Sequence, residues 1–107
     1  ITSVVQTTVS NGYLYAATVG GNKGLGRVIL HIYDENKKAV AKMLTEQDGY
    51  FSYLGLMPGK YTIETDEQQL NKIEMLNLSG HVIFTIKENK EGDIVDNLEI
   101  FIKDKKE

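Results

Sequence analysis

Thr45-Glu46-Gln47-Asp48-Gly49-Tyr50-Phe51, followed after a short gap by Leu56-Met57-Pro58-Gly59-Lys60-Tyr61-Thr62-Ile63, is the stretch whose reading decides the fold. Asp-Gly offers the positive φ of a tight hairpin, so Asp48-Gly49 turns the chain. Tyr50 to Leu54 follows as a strand, with Phe51 and Tyr53 on one face. Pro58 is the only proline, and Gly59 directly behind it makes a second reversal. Tyr61-Thr62-Ile63-Glu64-Thr65 then alternates, with Tyr61 and Ile63 facing inward. Asp48, Gly49, Phe51, Leu56, Pro58, Gly59 and Tyr61 therefore define the fold: two turns, two strands and the apolar side chains they deliver to one core.

Working outward, the dominant period stays at two. In Arg27-Val28-Ile29-Leu30-His31-Ile32-Tyr33, the side chains of Val28, Leu30 and Ile32 share one face and Ile29, His31 and Tyr33 the other. Asp34 to Lys38 turns the chain and Ala39 to Thr45 returns. On the other side Asp66 changes the period. It caps a short helix, with Gln69 reaching back in the manner of a capping box and Leu70 and Ile73 three apart on one face. Ser79-Gly80 ends the helix region, Val82, Phe84 and Ile86 alternate as a strand, Asn89 to Asp93 turns, and Val95 to Ile102 closes the domain. At the N-terminus, Thr2 to Val9 and Tyr13 to Val19 flank Ser10-Asn11-Gly12, and Asn-Gly is the strongest short hairpin signal. Gly20 to Gly26 holds four of the ten glycines and reads as a joint. The expected organisation is an N-terminal β-hairpin with its Gly-rich joint over residues 1–25 and a sandwich over residues 26–107, compact together. The fold class is all-β: an antiparallel β-sandwich of roughly seven to nine strands with one short helix near residues 66–76.

Composition narrows the function. A chain of 107 residues is the size of one domain. With 41% hydrophobic and 25% charged residues it matches neither a disordered nor a membrane-embedded protein. No apolar run reaches the ~18 residues of a membrane-spanning helix, so this segment is expected not to insert into a membrane. The net charge of −3, with lysines interleaved among acids, argues against nucleic acid as partner. The absence of cysteine removes disulfides, thiolate metal sites and Cys nucleophiles together. A first residue of Ile rather than Met reads as a fragment or processed form of something larger.

Each constellation with chemical potential weighs lightly. Gly20 to Gly26 lacks the Lys-Ser/Thr of a phosphate-binding loop and precedes a strand, where such a site needs a helix. His31 and His81 stand fifty positions apart without metal-spaced partners. Ser10, Ser52 and Ser79 lack a nucleophile elbow. Glu64 and Asp66 lie on alternate positions and share a face, as edge charges often do. Turn oxygens of Asp34, Asn36, Asp48 and Asp93 are candidate calcium ligands, without the spacing of an EF-hand loop. Tyr13, Tyr15, Tyr50 and Tyr53 are candidate ligand-contacting residues, since an exposed aromatic strip suits sugars or peptides; the alternative is that these rings fill the core and its rim. No catalytic residue and no cofactor is expected.

The pattern Gly26-Arg27-Val28, Ile32-Tyr33-Asp34, Thr45 to Phe51 and Leu56 to Ile63 resembles the carboxypeptidase regulatory-like family. That family is close to the Cna-B and SdrD-type B repeats, with a prealbumin-like β-sandwich. Glu91-Gly92-Asp93-Ile94-Val95-Asp96-Asn97-Leu98 resembles the closing strand of such domains in large surface proteins of Bacteroidetes-type bacteria. The resemblance implies a non-catalytic structural or adhesive spacer module of a larger secreted or cell-surface protein, located outside the cell. Its partners would be neighbouring domains of the same polypeptide. A glycan- or protein-binding accessory role, or service to an exported hydrolase, stand as alternatives. Some relatives form a Lys–Asn isopeptide bond assisted by an acid four residues after the tyrosine of the Pro-Gly-x-Tyr turn. Here that place is Thr65, Glu64 is one residue early and on the opposite face, and Val28 to Tyr33 holds no lysine. No isopeptide bond is expected.

Overall fold

The computed structural model describes residues 9–18, 21–88 and 93–105. Alternation of branched and polar residues produces strands, most of them in the expected places. They are β1 (Val9–Thr18), β2 (Gly21–Gly24), β3 (Ile29–Asp34), β4 (Ala39–Leu44), β5 (Tyr50–Leu54) and β6 (Gly59–Thr65), then helix α1 (Glu67–Lys72), β7 (Met75–Asn77), β8 (Val82–Ile86) and β9 (Ile94–Asp104). One sheet has the order β2-β1-β9-β7 with β5 also paired to β1, and the other has the order β4-β3-β6-β8. The two sheets enclose one core. Leu14, Phe51, Ile100 and Ile102 come from the first sheet, and Leu30, Ile32, Ile63, Phe84 and Ile86 from the second, each 5% exposed or less. Val28, Leu56 and Leu70 seal it from the connecting segments.

Both turns form where expected, and each carries the chain from one sheet to the other rather than closing a hairpin, since β5 lies in the first sheet and β4 and β6 in the second. Gly49 sits at φ +87 and the Asp48 carboxylate accepts the Tyr50 N–H at 3.0 Å. The turn is also fastened to β1, because Leu14 N–H donates to the Gly49 carbonyl at 2.8 Å. Beyond Pro58, the hydroxyl of Tyr61 donates to the Met57 carbonyl at 2.6 Å, which closes the reversal. The Tyr61 ring stacks on Phe84 with centroids 5.7 Å apart. Burial, then the negative charges of Asp34 and Glu35, push the Tyr61 hydroxyl above its ordinary pKa.

Three expectations need correction. Ser10-Asn11-Gly12 is no turn: the residues lie inside β1, whose lower part pairs antiparallel with β5 and upper part with β2, while its other edge pairs with β9. The first arm of the expected hairpin, Thr2 to Thr8, lies outside the described residues. Glycine is required at position 12 because β9 bulges there. Ser10 faces Val95 but Gly12 faces Leu98, so β9 carries one extra residue, and Asn97 absorbs it at φ +59. A Cβ at Gly12 would stand 2.0 Å from the Leu98 carbonyl oxygen. The bulge also lets Val95 and Leu98 both face the core side although they are an odd number of residues apart.

The second correction concerns the glycine-rich stretch. Gly21–Gly24 is a strand, β2, paired with Tyr15 to Thr18, and Leu14 and Ala16 of β1 are part of the common core. Residues of the expected appended hairpin are thus built into the first sheet. Third, the ladder between β1 and β9 is parallel, in a sandwich otherwise paired antiparallel.

Helix α1 is capped as read, with a different role for its glutamine. The Asp66 carboxylate accepts the Gln69 N–H at 3.0 Å. The Gln69 side chain does not return to Asp66. Its amide oxygen accepts the Ile29 N–H at 2.7 Å and its nitrogen donates to the Arg27 carbonyl at 2.8 Å. This amide continues the β3–β6 ladder past the point where β6 gives way to the helix. Leu70 is buried and Ile73, the C-cap, is 45% exposed, so the expected apolar pair has only one member in the core. The short strand β7, absent from the sequence reading, follows at once.

Candidate functional site

Inward-facing Gly12, Leu14 and Ala16 leave Tyr13 and Tyr15 on the outer face of the first sheet. Tyr50 lies directly across from Tyr13 on β5, and Phe101 directly across from Tyr15 on β9. The four rings form one strip: Tyr50 meets Tyr13 edge-on at 5.3 Å, Tyr13 stacks with Tyr15 at 6.0 Å, and Tyr15 stacks with Phe101 at 5.5 Å. Exposed Leu54 and Ile94 extend it at one end, Leu76 and Leu78 at the other. Such a strip offers flat apolar faces ringed by phenol hydroxyls.

The structure brings together three of the four candidate tyrosines. Tyr53 faces the other way and packs against the core. Phe101 was missed. Alternation with Ile100 and Ile102 already points it outward, but its place beside Tyr15 follows from a parallel register that no local signal announces.

The turn carboxylates of Asp34, Asp48 and Asp93 accept backbone N–H groups of their own turns. Asp34 accepts the N–H groups of Asn36 and Lys38 at 2.9 and 3.0 Å, and Asp93 accepts those of Lys87 and Ile94 at 2.8 and 3.0 Å. Asp34 and Asp48 belong to the turns at opposite ends of β4. No group of three His, Cys, Asp or Glu among the described residues is placed to hold a metal ion.

On the outer face of the second sheet, Lys42, His31 and Glu64 are cross-strand neighbours in one row. His81 approaches Glu64 at 3.3 Å, and His31 Nε2 contacts Asp66 at 2.8 Å. The hydrogen bond from His31, then that from the Gln69 backbone, holds the Asp66 carboxyl below the ordinary carboxylate range. These are two separate pairs, each histidine beside its own carboxylate. Among the described residues no hydroxyl is hydrogen-bonded to either histidine: Ser79 accepts the Phe101 N–H at 2.7 Å, and the Ser10 hydroxyl is buried without a hydrogen-bond partner. Thr65, at the position of the assisting acid in isopeptide-forming relatives, is buried against the Asn77 amide at 3.0 Å, and Glu64 faces outward.

A two-sheet sandwich with a fastened Asp-Gly turn and a Tyr-locked Pro-Gly reversal defines the class: a β-sandwich module. More narrowly, the chain belongs to the family of the second β-sandwich domain of NOMO1-like BOS complex subunits, whose model matches residues 5–96. No curated protein matches it significantly. Among solved structures, the TIE protein of Bacillus anthracis is 25% identical with a TM-score of 0.64, over 91% of this chain and 18% of that one. The major pilin subunit BcpA of Bacillus cereus is 13% identical with a TM-score of 0.59, over 89% of this chain and 30% of that one. A candidate carbohydrate-binding protein of Pseudomonas aeruginosa is 14% identical with a TM-score of 0.53, over 95% of this chain and 91% of that one. The chain thus spans less than a third of the first two. No helix among the described residues is long and apolar enough to cross a membrane.

Proposed function

We propose that this chain is a non-catalytic structural spacer, one sandwich unit of a longer secreted or cell-surface protein, with the adjoining domains of that polypeptide as its partners. One observation carries the reading: the described part of β1 begins, and β9 ends, at opposite ends of the sandwich. Val9 opens β1 beside Ile94, while β9 runs parallel to it and leaves past Lys103, which pairs with Ala17 at the far end. The molecule measures 48 × 26 × 17 Å, so a unit threaded this way adds length to the chain that contains it. The pilin and TIE neighbours, far longer than this chain, suit such a role and a location outside the cell. The resemblance of the two turns to the carboxypeptidase regulatory-like pattern agrees with it, although the family model that matches is the NOMO1-like one.

A second reading rests on the aromatic strip of Tyr50, Tyr13, Tyr15 and Phe101, which would dock the flat face of a sugar or an apolar peptide. The Pseudomonas neighbour is named for carbohydrate binding, and at 14% identity it supports the fold rather than the ligand. A glycan array with the parent and with Tyr13→Ala and Tyr50→Ala variants separates the two. The spacer reading expects no binding by any of them. A ligand bound by the parent and lost in both variants would replace it with the second.

A further inference from the structure

We propose that β1 and β9 form a tension-bearing clamp, so that force applied between the two ends of the domain loads their parallel ladder in shear. The inference rests on the spacer reading and deepens it, since a spacer in a longer chain transmits whatever pull its neighbours receive. The geometry is set by the strand directions. The chain reaches β1 at Val9, at the same end of the sheet where β9 begins, and leaves β9 at the opposite end. Pulling on the two flanks draws β1 toward one end and β9 toward the other. The strands are hydrogen-bonded neighbours, so the pull acts along their length.

In that direction the bonds of the continuous stretch from Gly12↔Leu98 to Ala17↔Lys103 strain together. Under a pull perpendicular to the strands they would break singly, each in its turn. Forced unfolding is governed by the unfolding barrier, and loading many bonds at once raises the force needed to cross it within a given time.

The side chains brace the same stretch on both faces. Inside the sandwich, Leu14 lies across from Ile100 and Ala16 across from Ile102, all buried. Outside, Tyr15 stacks on Phe101 at 5.5 Å. Cross-strand pairs of this kind resist sliding because a slip of one residue would exchange buried and exposed faces. The β5 and β2 ladders hold the other edge of β1. The aromatic rungs thereby gain a role that needs no ligand. On the Val9 side of the bulge, only Val9 and Ser10 pair with β9, so the resistance is assigned to the stretch from Gly12 to Ala17.

Single-molecule pulling on the whole chain between marker domains tests this. The chain lacks cysteine, so one introduced handle is unique. In the first geometry the chain is pulled through its two ends. In the second it is pulled through its N-terminal end and a handle at Ile94→Cys, a position 67% exposed and level with the start of β1, which peels the same two strands apart. The expected result is a severalfold higher rupture force end to end than in the peeling geometry, with an unchanged denaturation midpoint for Ile94→Cys. Equal forces in the two geometries, or a peeling force above the end-to-end force, would overturn the clamp. Either outcome leaves the spacer reading to the glycan array, so the two fail separately.

Discussion

Placing alanine or asparagine at Gly12 distinguishes a strand interior from a hairpin turn at the one point where sequence and structure disagree most. An alanine Cβ would lie 2.0 Å from the Leu98 carbonyl oxygen and 2.7 Å from the Leu98 Cβ. Carbon and oxygen rest no closer than about 3.3 Å, so the β9 bulge would have to retreat by more than an ångström. Overpacking of this kind costs about 1–3 kcal/mol. Weakening a ladder hydrogen bond beside it adds about 1 kcal/mol. The expected loss is therefore about 2–4 kcal/mol, within the ~5–15 kcal/mol of a folded domain. At about 4–8 °C per kcal/mol for a domain of this size, thermal melting should fall by at least ~8 °C. Gly80→Ala is the comparison: its Cβ meets nothing within 4 Å, and only its φ of +66 is strained, for about 1–2 kcal/mol. Asparagine is the sharper probe, since it tolerates left-handed turn positions but brings the same Cβ. Urea denaturation of Gly12→Asn should show a loss as large as that of Gly12→Ala. A Gly12→Asn variant within ~0.5 kcal/mol of the parent, the ordinary range for a harmless surface change, would refute the bulge reasoning.

Gln69→Ala should cost about 1–2 kcal/mol in urea denaturation, because the part-buried Ile29 N–H loses its acceptor; Gln69→Glu, which keeps the oxygen, should recover part of that. Ser10→Ala should be neutral or stabilising by up to ~1 kcal/mol, since the buried hydroxyl has no partner to lose; a clear destabilisation would mean that the hydroxyl is bonded. The Asp66 carboxyl is held below its ordinary value, so its contribution is present above the unfolded-state pKa and disappears as pH falls through the lowered one. Stability measured down an acid series should therefore decline less steeply in Asp66→Asn than in the parent, and superimposable profiles would count against the His31–Asp66 pair.

The two turns and the core they serve were legible because each depends on local chemistry. Gly49 needs a positive φ, Pro58-Gly59 reverses the chain, and Phe51, Tyr61 and Ile63 fall in phase on one face. The Asp66 cap was legible for the same reason. What escaped was set by pairing between distant segments. Asn11-Gly12 carries a hairpin signal, yet its glycine answers to the carbonyl of Leu98, far along the chain. Gly24, in the apparent joint, would likewise place a Cβ 1.8 Å from the Asp48 carbonyl oxygen. Gln69 was read as a local capping partner because the missing rung of β3 is visible only once β6 is in place. The aromatic strip was three-quarters legible from alternation, and Phe101 joined it only through the parallel register of β1 and β9.

That register is the centre of the account, and native-state hydrogen exchange resolved by residue measures it most directly. The amides of Tyr13 and Tyr15 alternate with the Leu14 N–H that binds Gly49, and so point to β9; they should exchange only through global unfolding, as slowly as those of Leu30 and Ile63 in the second sheet. Exchange at Tyr13 and Tyr15 that is orders of magnitude faster than at Leu30 and Ile63 would detach β1 from β9, and both the threading of the spacer and the β1–β9 clamp would fall with it.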